Sequence, residues 1–271
     1  MIQEIIKIEE KGSLEEAKLI TYIQDYNEGF FTTERPCILI MPGGGYTNLA
    51  KQKEGEVYAL QMCAMGYHAA VLEYSVSPAC YPTQILEVAK AVKILREHAA
   101  EWHINPDRIF VCGSSAGGHL AASYGCFWHE DFVAEAMGLF DKEILRPNGM
   151  ILCYPVITGG EKAHRGSFVH VCGDKYDELV DKLSIEKQIN EYTPKAFIWH
   201  TFTDLSVPVE NALLLASALR EHDIPFELHI YPTGKHGLGM ADWTTQGKDC
   251  LGIEPACQSW IKLLRVWLEH F

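Results

Sequence analysis

One uncharged stretch, residues 110–128, constrains the fold more than any other part of the chain. It contains no Asp, Glu, Lys or Arg, but its glycines, its serines and the central His119 make it unsuitable as a membrane span. Residues 108–112 predict a buried strand, and the residues from about Ala116 predict a helix. A buried strand that passes at once into a buried helix is typical of a sheet covered by helices on both faces.

The rest of the chain alternates in the same way. Further strands are predicted at residues 18–23, 37–41, 68–74, 150–154, 196–201 and 227–231, and further helices at residues 54–65, 85–102, 209–220 and 259–271. Strands that alternate with helices predict the α/β class, as a three-layer sandwich around a mostly parallel sheet. Since we find no internal repeat or linker, we expect a single domain over residues 1–271, with a lid-like insertion at about residues 156–193.

Composition excludes several kinds of partner. The formal net charge of -13 argues against a nucleic-acid surface, because phosphate binding needs clustered Lys and Arg. None of the nine cysteines is spaced as C-x-x-C, so neither a zinc ribbon nor a thioredoxin site is indicated. We expect the first seven residues not to act as a secretory signal, because they contain Glu4 and no long apolar run. We therefore expect a cytoplasmic protein without a membrane partner; a homo-oligomer is compatible with the sequence.

A Gly-x-Ser-x-Gly motif stands between the strand and the helix of the uncharged stretch, with Ser115 at its centre. A strained strand-to-helix turn pushes the central side chain out of the sheet, and it needs small flanking residues such as Gly113 and Gly117. The alternative is a plain turn of small residues, but the flanking strand and helix favour a nucleophile. Ser114 is the competing serine, and at its position it should face away.

A second glycine loop, residues 42–46 (Pro-Gly-Gly-Gly-Tyr), follows the strand at residues 37–41. Together with the serine motif it predicts an oxyanion hole made by the N–H groups of Gly44, Gly45 and Ala116, although the sequence leaves open which glycine donates. A dinucleotide loop would need a glycine at position 48, which is Asn48, and no lysine follows at P-loop spacing.

A hydrolytic serine needs a base and an acid, in the order Ser, acid, His for this kind of sheet. Asp204 follows the strand at residues 196–201, whereas its rivals Asp223 and Asp242 fall in a helix-to-strand turn and in a distal loop. His236 lies between glycines just past the last predicted strand. We therefore predict a catalytic triad of Ser115, Asp204 and His236.

Three other histidines are candidates for a functional role. His119 lies four residues past the serine on the same predicted helix, so we expect it to be structural. His164 and His170 suggest a metal pair, but no third ligand has convincing spacing. We therefore expect no metal and no cofactor.

At these residues the sequence resembles the acetyl-esterase and feruloyl-esterase-like group of α/β-hydrolases. The similarity is carried by residues 42–46, 113–120, 154–158, 199–211 and 236–239 and covers nearly the whole chain. The resemblance implies an α/β-hydrolase fold and a cofactor-free serine esterase that removes acetyl groups from sugars or xylan fragments. It also implies the same triad. Residues 159–175 follow the group's pattern only loosely, so the resemblance implies least about substrate choice.

Two alternatives to a small-acyl carboxylesterase stay open at this point. The first is an amidase or peptidase of the same fold, such as a formamidase or a small exopeptidase, because the same triad cleaves amides. The second is a non-catalytic binding protein with a hydrolase-like fold. The acyl length, the alcohol and the oligomeric state are not determined by the sequence.

Overall fold

A computed structural model of the protein describes residues 1–26, 28–29, 32–248 and 250–271. The described residues form an eight-stranded sheet in the order β1-β2-β4-β3-β5-β6-β7-β8. Its strands are β1 (Ile5–Lys7), β2 (Lys18–Tyr22), β3 (Arg35–Met41), β4 (His68–Glu73), β5 (Ile104–Ser114), β6 (Gly149–Cys153), β7 (Ala196–Thr201) and β8 (Phe226–Tyr231). The strands from β3 to β8 are parallel to one another, and β2 is antiparallel to both β1 and β4. The mostly parallel sheet expected from the sequence is confirmed.

Helices cover both faces of this sheet. They are α1 (Val57–Ala64), α2 (Thr83–Glu97), α3 (Ala99–Trp102), α4 (Ala116–Phe127), α5 (Asp131–Ala136), α6 (Arg165–Cys172), α7 (Tyr176–Leu179), α8 (Glu210–Glu221) and α9 (Trp260–Glu269). Within the described parts of the chain, no helix combines the length and the apolar character needed to cross a membrane.

Two apolar cores lie on opposite faces of the sheet, as the alternation along β3 shows. Leu39 packs into the core that contains residues of α2, α4 and α8, while its neighbours Ile38 and Ile40 pack into the core that contains residues of α1 and α9. Successive side chains of a strand point to opposite faces, so a strand that is buried throughout must be covered on both sides. The molecule is therefore the three-layer sandwich that the sequence predicted.

Several elements differ from the sequence prediction. Strand β1 was missed, because three residues with an exposed–half-buried–exposed pattern carry too little periodicity to be recognised. The helix predicted at residues 85–102 is two helices, α2 and α3, which meet at His98. Strand β5 is longer than the predicted 108–112, and the short helix α5 was not predicted.

The segment 156–193 holds α6, α7 and two short 3-10 turns, Gly173–Lys175 and Ile185–Lys187. Helix α6 was not predicted from the sequence. The insertion packs towards the glycine loop: the His170 Nδ1–H donates a hydrogen bond of 3.2 Å to the carbonyl oxygen of Gly45. Its function as a lid, and the single-domain organisation, stay predictions.

Candidate active site

The sharp turn at Ser115 joins β5 to α4 directly. Its backbone has φ 54° and ψ -120°, a left-handed conformation that non-glycine residues seldom adopt. A Cβ added at Gly113 would lie 2.0 Å from the carbonyl oxygen of Gly117, and one added at Gly117 would lie 2.0 Å from that of Met41. Only glycine therefore fits at either flank, and the turn lifts the Ser115 side chain out of the sheet.

Ser115, His236 and Asp204 form a continuous chain of hydrogen bonds. The His236 Nδ1 lies 2.6 Å from Asp204 Oδ2, and its Nε2 lies 2.7 Å from Ser115 Oγ. A carboxylate only accepts, so the ring proton lies on Nδ1, and Nε2 accepts the hydroxyl proton of Ser115. The three residues come from the loops after β7 and β8 and from the turn after β5, at the carboxyl edge of the sheet. The geometry suits a histidine that withdraws a proton from Ser115.

The Asp204 carboxylate is held by its own loop. Oδ1 accepts hydrogen bonds from the N–H groups of Ser206 (2.9 Å) and Val207 (3.0 Å), and the side chain is fully buried. Burial alone would favour the neutral acid, but the hydrogen bonds from His236 and Val207 outweigh it and lower the pKa of the carboxyl. Asp204 is therefore ionised at neutral pH and oriented towards His236.

The rival residues lie elsewhere. Ser114 is buried, and its Oγ is directed 3.4 Å from the hydroxyl of Tyr58, so it faces away as expected. Asp223 pairs with Arg220 on the surface. Asp242 is half-buried and accepts a hydrogen bond from the Thr244 N–H within its own loop.

His119 links three parts of the site from inside the fold. Its Nε2–H donates to the carbonyl oxygen of Leu183 in the insertion, so its Nδ1 accepts from the hydroxyl of Tyr46 in the glycine loop. Burial lowers the pKa of His119 to about 4, so the ring is neutral and both contacts persist at neutral pH. The residue is structural, as the sequence predicted.

The glycine loop leaves two amide groups available to an oxyanion. The N–H of Gly43 donates to Glu54 Oε2 at 2.8 Å and is thereby occupied. The Gly44 carbonyl oxygen accepts a hydrogen bond from the Asn48 N–H within the tight turn. In a trans peptide the N–H points away from the carbonyl oxygen, so the N–H of Gly45 points away from this turn. Neither Gly44 nor Gly45 donates a hydrogen bond to another described residue. Ala116 begins α4, so its N–H has no intrahelical partner either.

Sequence reasoning missed Glu54. Its side chain is only 4% exposed, and it accepts hydrogen bonds of 2.8 Å from both the Gly43 N–H and the hydroxyl of Tyr154. The same hydroxyl accepts from the N–H of Gly239, three residues past His236. One buried carboxylate thus connects the glycine loop to the histidine loop. Glu54 lies in a π-helical turn, Lys51–Glu56, a conformation that is frequent at functional sites. Because this turn is visible only in the structure, it could not point to Glu54 from the sequence.

Replacing Glu54 by glutamine is expected to lower kcat by roughly tenfold or more, with little change in KM. A glutamine oxygen can accept from Gly43 or from Tyr154, but its NH2 group leaves the other donor without a buried acceptor, so one of the two loops shifts. Steady-state kinetics on an ester substrate measure the effect. The matched control is Glu56→Gln, because Glu56 is exposed on the same turn. An equal loss of activity in both variants would contradict the role of Glu54.

An open cleft of about 460 Å³ leads to the serine. Ser115, His236, Gly44, Gly45, Ser206 and His164 are among its lining residues. His164 and His170, considered above as a metal pair, instead make separate hydrogen bonds to Ser167 and to Gly45. The described residues contain no cluster of three side chains that could hold a metal ion.

Two family models match the chain on either side of residues 153–170. The model described as BD-FAE matches residues 25–152, which include the glycine loop and the turn at Ser115. The model of the prolyl oligopeptidase family matches residues 171–248, which include Asp204 and His236. Each half of the site therefore falls within a matched region.

Curated relatives and solved structures are similar over most of the chain. An acetylxylan esterase of Xylanibacter ruminicola is 31% identical over 222 residues, or 79% of this chain and 44% of that protein. An endo-1,4-beta-xylanase B of Butyrivibrio fibrisolvens is 37% identical over 77% of this chain and 33% of that protein. The chain thus spans less than half the length of either relative. The solved acetyl ester-xyloside bifunctional hydrolase from Caldicellulosiruptor lactoaceticus superposes with a TM-score of 0.79 at 39% identity, covering 94% of this chain and 88% of that one.

Proposed function

Because the chain belongs to the acetyl- and feruloyl-esterase-like group of the α/β-hydrolases, we propose that it is a serine carboxylesterase for small acyl esters, above all acetyl groups on carbohydrate. The observation that carries the proposal is the hydrogen-bonded chain from Ser115 through His236 to Asp204, at a cleft where two glycine N–H groups are available. The acetyl preference is supported by the acetylxylan esterase and the acetyl ester-xyloside hydrolase among the similar proteins.

The proposed reaction has two stages. His236 withdraws the proton of Ser115, whose oxygen attacks the ester carbonyl, and the N–H groups of Ala116 and of Gly44 or Gly45 stabilise the oxyanion. Asp204 stabilises the imidazolium ion that forms. The imidazolium then protonates the departing alcohol, and the acyl group stays on Ser115. A water activated by His236 finally releases the carboxylic acid. No cofactor takes part in these steps.

Amide hydrolysis is the second candidate, because the prolyl oligopeptidase model matches the region of Asp204 and His236. The same nucleophile and base serve both reactions, and the difference lies in how well the cleft positions the leaving group. The cleft is open and is lined by Gly44, Gly45 and Ser206, among others.

The test is a panel of nitrophenyl esters from acetate to octanoate, together with an acetylated xylo-oligosaccharide and an aminoacyl nitroanilide. We expect kcat/KM to be highest for acetate, to fall with acyl length, and to be far lower for the anilide. A preference for the anilide would favour the peptidase, and a preference for long chains would favour a lipid esterase. A protein that hydrolyses none of them and leaves Ser115 unlabelled by an organophosphate would be a non-catalytic binding protein.

The proposal extends to the cellular compartment and to the kind of partner. We place it in the cytoplasm, because a protein with nine free thiols, six of them buried, suits a reducing compartment. Its partner would be a small-molecule ester rather than nucleic acid, in keeping with the net charge of -13.

A further inference from the structure

His164 lines the catalytic cleft but belongs to neither the proposed triad nor the proposed oxyanion hole. It stands at the start of α6, in the segment that follows the family pattern only loosely. Its ring lies beside the glycine loop: the Cε1 atom is 3.9 Å from the point that a Cβ on Gly45 would occupy. The chain thus presents a second imidazole to whatever occupies the cleft.

The tautomer of this ring is determined by the helix behind it. Nδ1 accepts hydrogen bonds from the Ser167 N–H at 3.3 Å and from the Ser167 hydroxyl at 2.9 Å, so the ring proton must lie on Nε2. Burial, and next the charge of His236 when it is protonated, lower the pKa of His164. The ring is therefore neutral at neutral pH.

The Nε2–H group has no hydrogen-bonding partner in the parts of the chain that the structure describes. In an imidazole, Nε2 is on the opposite side of the ring from Cγ and is separated from Nδ1 by Cε1. Because Nδ1 is bound to Ser167 of α6 and the residue lines the cleft, Nε2–H is the one hydrogen-bonding group of the ring that is left for an occupant of the cleft. A neutral donor with a fixed tautomer is suited to bind an uncharged oxygen.

We propose that His164 is a specificity-determining residue whose Nε2–H donates a hydrogen bond to a hydroxyl group on the alcohol half of the substrate, beside the ester. This inference rests on the proposed esterase function. The alcohol half must lie near His236, which protonates the departing oxygen, and His164 is close enough to His236 and Asp204 to be influenced by their charges. A cleft built to bind a hydroxyl discriminates against an alcohol that lacks one, because the donor then stays unpaired.

Two substitutions separate this donor from the helix cap. In His164→Asn the amide oxygen takes the place of Nδ1 and still caps α6, since asparagine is a favoured N-cap residue, but the side chain is too short to reach the cleft. In His164→Gln the amide nitrogen takes the place of Nε2, so the donor is kept while the cap is lost. A purely structural role predicts that the glutamine variant is the more impaired, and our proposal predicts the reverse.

The substrates are the monoacetate of trans-1,2-cyclohexanediol and cyclohexyl acetate, which differ by one hydroxyl beside the ester. We expect the wild-type protein to favour the diol ester in kcat/KM by about tenfold. His164→Asn should abolish this preference, because it should lose activity on the diol ester alone. His164→Gln should retain most of the preference for the diol ester. An unchanged ratio in His164→Asn, or an equal loss on both esters, would overturn the role of His164 only. A wild-type protein inactive on both esters and on nitrophenyl acetate would overturn the proposed function as well.

Discussion

Replacing Ser115 by alanine is expected to lower kcat for ester hydrolysis by on the order of 10⁴-fold or more. The alanine variant has no oxygen to attack the carbonyl, so no acyl-enzyme forms, and what remains is the effect of binding the ester near the available N–H groups. Folding should be unaffected, because alanine and serine have a similar cost in the left-handed backbone conformation of residue 115. The substitution removes only the hydrogen bond to His236. The measurement is single-turnover and steady-state hydrolysis of nitrophenyl acetate.

The control for this variant is Ser114→Ala, which removes the neighbouring hydroxyl directed at Tyr58, away from His236. We expect that variant to keep activity within a few-fold of the wild-type protein. Mass spectrometry after treatment with an organophosphate should find the label on Ser115 in the wild-type protein and in Ser114→Ala. A Ser115→Ala protein with near-normal activity, or a label on another residue, would refute the assignment of the nucleophile.

Replacing Asp204 by asparagine should lower kcat by roughly 10⁴-fold, which corresponds to about 5.4 kcal/mol of transition-state stabilisation. The amide oxygen can still accept from the N–H groups of Ser206 and Val207, so the amide nitrogen faces His236. It donates to Nδ1 and drives the ring proton to Nε2. The tautomer is then the wrong one, because Nε2 can no longer accept the proton of Ser115.

Two further variants serve as controls for Asp204. Asp223→Asn and Asp242→Asn change the two rival carboxylates, which bind Arg220 and Thr244 rather than His236, and we expect each to stay within about twofold of the wild-type rate. Thermal unfolding should be compared in parallel, so that a loss of activity is not mistaken for a loss of fold. A large effect of Asp242→Asn with a small one of Asp204→Asn would move the acid to the other loop.

The strand and helix pattern could be predicted from the sequence wherever an element was long and periodic. The uncharged stretch yielded β5, the turn and α4 because buried strands and helices in a parallel sheet have no room for charge. Strand β1 and helix α6 escaped because they are short: three residues, or a helix that contains Gly166 and Ser167, show little periodicity. Strand β1 forms because β2 pairs with it, and α6 forms because its residues Phe168 and Val171 pack into the apolar core.

Some residues of the candidate site could be predicted from the sequence, and others could not. Ser115, Asp204 and His236 could be selected from the sequence because each follows a predicted strand, and strand ends of a parallel sheet meet at one edge. Glu54 was not selected, and His164 was a candidate only as a metal ligand. Their roles depend on contacts with Gly43, Tyr154 and Ser167, and such contacts leave no local spacing in the chain.

By itself, therefore, the sequence determined the class of the fold and the type of chemistry, because periodicity, small residues at a strained turn and the order of strand ends are local properties. Only the tertiary structure decided which amide groups are free for an oxyanion, since Gly43 is occupied by Glu54 from a separate turn. It also decided that a second imidazole, His164, presents a donor to the cleft. The contact between Gly43 and Glu54 and the position of His164 join segments that are distant in the sequence. The packing of the whole fold determines which of these segments meet.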